Sequence, residues 1–89
     1  MKAVPVHAEI LRLAAGRGAG KSICPSEVAR ALSPHGWRDL MPAVREAAAE
    51  LQDEGLIQVT QGGVKVDARS VRGPVRLGLP LPNQGSSNQ

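Results

Sequence analysis

Between Cys24 and Gly55 the chain reads C-P-S-E-V-A-R-A-L-S-P-H-G-W-R-D-L-M-P-A-V-R-E-A-A-A-E-L-Q-D-E-G, and its prolines and glycines leave little choice of local structure. Pro25 suits a first helical position, because its missing N–H would find no partner there, and Glu27 then falls in the first turn, where the helix dipole favours an anion. Val28, Ala29, Ala31 and Leu32 supply a buried face and Arg30 projects outward. Ser33-Pro34-His35-Gly36 stops the helix, since proline disfavours helical geometry in the residue before it and glycine permits a tight reversal. A longer helix follows from Trp37 or Arg38 to Glu54, with Gly55 as its stop. Pro42 is tolerated only in a first turn, so regular helix is expected from Asp39 or Leu40, with Trp37-Arg38 as a lead-in turn. Leu40, Val44, Ala47, Ala48 and Leu51 form its apolar stripe and Met41 the edge, while Arg38, Arg45, Glu46, Ala49, Gln52 and Asp53 fall on the other side. Two helices joined by so short a turn predict a helix-turn-helix core.

On the N-terminal side, Val6, Ile10, Leu11, Leu13 and Ala14 share one helical face, Pro5 suits a helix start, and Gly16 and Gly18 an end, predicting a first helix near 5–15. Ala15 to Ser22 satisfies a loose phosphate-loop pattern. That motif works between a strand and a helix that starts on its Lys-Ser pair; here a helix precedes it and Pro25 follows too soon, so the reading is a Gly-rich turn with Arg17 and Lys21 exposed. Ser22-Ile23-Cys24 could form a brief first strand. On the C-terminal side, Leu56 to Gln61 alternates as a half-buried strand, Gly62-Gly63 breaks it, and Val75 to Leu79 alternates again before Pro80. Three helices followed by a two-stranded β-hairpin with a long basic loop predict an α+β, mainly α, winged helix-turn-helix. The domain is expected to span 1–79, followed by a disordered tail over 80–89, which is too rich in Pro, Gly, Ser and Asn to join a core.

The runs G-K-S-I-C-P-S-E-V-A-R-A-L (Gly20 to Leu32), W-R-D-L-M-P-A-V-R (Trp37 to Arg45), G-L-I-Q-V-T-Q-G-G (Gly55 to Gly63) and R-G-P-V-R-L (Arg72 to Leu77) resemble a family of short, functionally uncharacterised bacterial domains. The resemblance covers most of residues 8–80. It implies the winged-helix fold, and no activity or site residue comes with it.

Function has to be read from side chains. Trp37 is the sole aromatic residue, so the core is aliphatic, and a base-stacking single-strand module, which needs aromatic platforms, is disfavoured. Trp37 itself reads as a plug between helices. One cysteine cannot close an internal disulfide, and with two histidines at unrelated spacings it makes no metal site. Cys24 reads as a small, partly buried residue; a reactive thiol would need an electropositive, accessible setting. His35 reads as a solvated turn residue. No apolar run approaches the roughly 20 residues of a membrane span, and the opening M-K-A-V-P-V-H lacks the apolar segment of a signal peptide. A cytoplasmic protein without cofactor is expected. No carboxylate pair or nucleophile-base set has a spacing that catalysis would use, which disfavours an enzyme.

Charge is unevenly placed. Residues 1–60 carry seven basic and seven acidic side chains, so the net +3 lies in residues 61–89, where Lys65, Arg69, Arg72 and Arg76 face Asp67 alone. This favours binding of double-stranded DNA. Arg38 and Arg45 on the third helix would read base edges, and Lys65, Arg69, Arg72 and Arg76 would meet phosphates or a narrow minor groove. Against it stand Asp39, Glu46, Glu50, Asp53 and Glu54 on the same helix, whose C-terminal half repels phosphate. The alternative is a protein-interaction or dimerisation module, binding another chain or a second copy of itself and no nucleic acid.

Overall fold

The structure is a computed structural model and describes residues 5–80; the expected tail beyond Pro80 lies outside the described residues. Among those residues, helices α1 (Val6–Arg17), α2 (Pro25–Leu32) and α3 (Trp37–Asp53) precede strands β1 (Gln58–Gln61), β2 (Val64–Lys65) and β3 (Arg76–Gly78). The layout is the winged helix read from the sequence, α+β and mainly α.

α1 runs two residues further than the glycines suggest. Gly16 stays helical, and the helix stops at Gly18, whose N–H donates to the Ala14 carbonyl at 3.1 Å. Pro5 stands just before the helix, and its carbonyl accepts the Glu9 N–H. In α2, Glu27 reaches back so that its Oε2 accepts the Cys24 N–H at 3.4 Å, tying the chain entry to the first turn. Pro25, Val28 and Ala29 are buried, whereas Ala31, expected inside, is exposed: it lies more than 100° round the helix from the centre of that face. α3 is regular helix from Trp37, two or three residues earlier than the Asp39 or Leu40 start expected from Pro42, which lies inside it. The bond lost is the one to the Arg38 carbonyl, and Arg38 and Pro42 are both exposed, so water can serve that oxygen.

The wing differs in one respect from the two-stranded expectation. The sheet has three strands in the order β2-β1-β3, all antiparallel. Gly62 and Gly63 (φ +60° and +84°) make a two-residue turn that folds Val64–Lys65 back on β1. Two successive positive φ values suit the right-handed twist of a tight hairpin, and glycine reaches them without a Cβ clash. The chain then crosses as an irregular return segment, residues 66–75, to bring β3 to the other side of β1. The expected strand at 22–24 is one bridge, in which Ile23 and Leu77 exchange two backbone hydrogen bonds of 2.8 Å. Here the chains run very close: a Cβ on Gly78 would lie 2.7 Å from the Lys21 carbonyl oxygen.

The core is aliphatic, as the composition requires. Ile10 and Ala14 of α1, Ile23, Val28 of α2, Val44 of α3, and Val59 and Leu77 of the sheet are fully buried in one cluster. Leu40, Met41, Leu32 and Trp37 pack against it half-buried. Ala49 departs from the helical-wheel expectation: placed on the outward side, it is 1% exposed, because the return segment lies over it.

Candidate nucleic-acid interface

The return segment is held against α3 by side chains of α3 and β1. Gln52 donates from Nε2 to the Val66 carbonyl at 2.7 Å and accepts the Ala68 N–H on Oε1 at 3.0 Å. A carbonyl on one side and an N–H on the other determine the orientation of its amide. Arg45 donates from both Nη atoms to the Gly73 carbonyl at 3.1 and 3.2 Å. From the sheet side, Gln61 Nε2 donates to the Arg72 and Pro74 carbonyls at 2.6 and 3.0 Å. Two glutamines and an arginine thus satisfy five backbone groups of a segment that has no ladder of its own. Between it and α3 lies a shallow hollow lined by Pro42, Arg45, Glu46, Ala49, Ala68, Arg69 and Val71.

Arg69 faces α3. Its Nη1 meets Asp53 Oδ2 at 2.6 Å and its Nη2 lies 3.6 Å from Glu46 Oε2, while its backbone N–H donates to Asp67 Oδ1 at 2.9 Å. The hydrogen bond to Asp53 raises the guanidinium pKa above its ordinary value, with the Asp53, Glu46 and Asp67 charges adding to it. Arg69 therefore offsets one of the two negative charges that Asp53 and Glu46 place on α3.

The other sequence-predicted residues divide in two. Arg76 on β3 donates from Nε and Nη2 to Ser22 Oγ and the Ser22 carbonyl, both at 2.9 Å, with Nη1 facing Cys24 Sγ. It clasps the Ile23–Leu77 bridge. Arg38, Lys65 and Arg72 are exposed, and among the described residues none has a carboxylate within ion-pair distance. Arg38 and Arg45 are seven residues apart on α3, a near-complete two turns, so they share a face with their Cα atoms about 10 Å apart. Arg72 adjoins Gly73, the residue that Arg45 grips. The fold thus gathers Arg38, Arg45 and Arg72 on the N-terminal half of α3, with Lys65 on the hairpin.

Three participants had no signal in the sequence. Gln52 and Gln61 look like ordinary polar positions, and their partners are 11 to 16 residues away in irregular chain. Arg30, in the last turn of α2, places its guanidinium carbon 4.4 Å from the Trp37 ring centroid, and Arg38 does so at 4.6 Å. The phosphate-loop pattern resolves into the end of α1 and a turn, where Arg17 donates to Glu27 at 2.7 Å and to the Ser22 carbonyl at 2.8 Å. Among the described residues no three His, Cys, Asp or Glu side chains could together hold a metal ion, and no helix is long and apolar enough to cross a membrane.

A search of curated proteins finds no match to this chain. Residues 3–80 match the model of the family described as "Protein of unknown function (DUF3253)", and the chain belongs to that family.

Proposed function

We propose that the domain binds double-stranded DNA through the N-terminal half of α3 and the adjoining return segment. The start of α3 enters the major groove with Arg38 at its phosphate rim, Arg45 holds the return segment against the helix through Gly73, and Arg72 and Lys65 meet the backbone. The observation that supports this most is the Arg45–Gly73 contact, which sets Arg72 beside the arginines of α3. The charge objection weakens in part, because Arg69 offsets one of the two charges of Glu46 and Asp53. Arg69 serves in this reading as an internal counter-ion and Arg76 as a structural clasp, so the contact surface is narrower than the count of cations in the C-terminal third suggests. A role in transcription is the process such a contact would serve.

A salt titration against a random-sequence duplex tests the reading. Three phosphate contacts, by Arg38, Lys65 and Arg72, predict that log affinity falls with log salt at a slope of about −3. Absence of binding at about 50 mM salt would overturn it. The second reading, an interaction or dimerisation module, draws support from Val64, which is 65% exposed on the two-residue edge strand β2. It predicts a mass by light scattering that rises with concentration, in a protein with no affinity for DNA.

A further inference from the structure

We infer that Arg30, Trp37 and Arg38 form a seat for one backbone phosphate of the duplex, where α2 turns into α3. This rests on the DNA-binding reading and adds to it two residues, Arg30 and Trp37, that the ridge of Arg38, Arg45 and Arg72 leaves out. Arg30 comes from the last turn of α2 and Arg38 from the first turn of α3, yet both guanidinium carbons lie over the same indole ring, at 4.4 and 4.6 Å from its centroid. A guanidinium resting on an aromatic ring is held by its flat face, and the N–H groups at its rim stay free to donate. The indole therefore orders two long side chains without consuming their hydrogen bonds, so a ligand taking those bonds immobilises little that was mobile before.

The charges fit one ligand. Arg12, Arg17 and Arg69 each rest on a carboxylate, whereas Arg30 and Arg38 have none within ion-pair distance among the described residues. A hollow of about 430 Å³ opens beside Trp37 and Arg38, lined by them with Pro34, His35, Gly36 and Asp39. With Arg30 and Arg38 positive and Asp39 negative, the net charge of the group is that of one cation, which a singly charged phosphodiester balances. Gly36 also has no side chain to cap α3, so the first N–H groups of the helix have no side-chain acceptor and add to the pull on an anion.

Because Trp37 is the only aromatic residue, its emission reports this seat alone. A fluorescein-labelled random-sequence duplex is titrated with the protein at about 50 and 200 mM salt, following anisotropy for binding and Trp37 emission for the seat. The expected result is that both signals saturate together. Arg30→Gln lowers the salt slope by about 0.9, so that its affinity falls about 3.5-fold less than the wild type's across that fourfold change in salt. Arg30→Lys keeps the slope but binds more weakly, because an ammonium has no flat face to stack. Binding by anisotropy with unchanged Trp37 emission and an unchanged slope for Arg30→Gln would refute the seat and leave the DNA reading standing. No change in anisotropy at about 50 mM salt would refute both.

Discussion

Replacing Gln52 by Ala removes, in one step, both bonds by which α3 holds the start of the return segment: 2.7 Å to the Val66 carbonyl and 3.0 Å from the Ala68 N–H. Each bond contributes a net of about 0.5–1.5 kcal/mol. Gln52 is half-buried, so water can replace part of the loss, and about 1–2 kcal/mol is the expected cost. For a domain of this size that lowers the melting temperature by roughly 4–16 °C. The loss should also be local: amide exchange at Ala68 accelerates before that of Val59 in the core, since Ala68 loses its own acceptor. Gln52→Glu is expected to fall at least as far, because it keeps the acceptor for Ala68 but turns a carboxylate oxygen towards the Val66 carbonyl. Circular dichroism melts with exchange followed by NMR provide the assay. A Gln52→Ala protein melting within about 2 °C of wild type, with Ala68 equally protected, would refute the view that this side chain holds the segment on α3.

Other perturbations separate contact from support. Arg72→Ala is expected to lower the salt slope of duplex binding by about 0.9. Arg69→Ala weakens binding by uncovering Glu46 and Asp53, and adding Glu46→Gln with Asp53→Asn restores the affinity; failure of that rescue in the same titration would count against the counter-ion role. Gly78→Ala forces a Cβ to 2.7 Å from the Lys21 carbonyl, and urea unfolding should show a cost of about 1–3 kcal/mol, as for other overpacked sites. At the start of α1, the hydrogen bond from Arg12 holds the Glu9 carboxyl below the ordinary glutamate range. Its contribution is complete above that range and is lost as pH falls through the lower folded value, so thermal melts should show a Glu9→Gln protein less sensitive to acid than the wild type.

Legibility followed the range of the interactions. The breaks at Pro25, Pro34-His35-Gly36 and Gly55 act on neighbouring residues, and the helix-turn-helix they predict is present. The Gly62-Gly63 reversal is equally local, but it does more than break a strand: two glycines with positive φ close a tight hairpin, and Val64-Lys65, too short to signal a strand by alternation, pairs only because the turn places it. Pro42 misled in the opposite direction. The rule against proline inside a helix prices one lost bond, and an α3 that gains Trp37 packing and an exposed carbonyl can absorb it.

The candidate interface depends on contacts between residues far apart in the chain. That the positive excess lies after residue 60 is a matter of sequence alone, as is the absence of aromatic platforms. Which cations remain available is not, since an arginine side chain spans several ångströms and its partner is chosen by proximity in the fold. Arg69 and Arg72 stand three residues apart in one basic stretch, but the path of the return segment turns Arg69 onto Asp53 and Glu46 and leaves Arg72 exposed beside the grip of Arg45 on Gly73. Ala49, outward by its place on the helical wheel, is buried by the same path. Periodicity and turn chemistry settle elements because they act along the chain. The roles of Arg30, Arg69 and Gln52 depend on segments that meet only after the chain has folded, and only the tertiary structure could decide them.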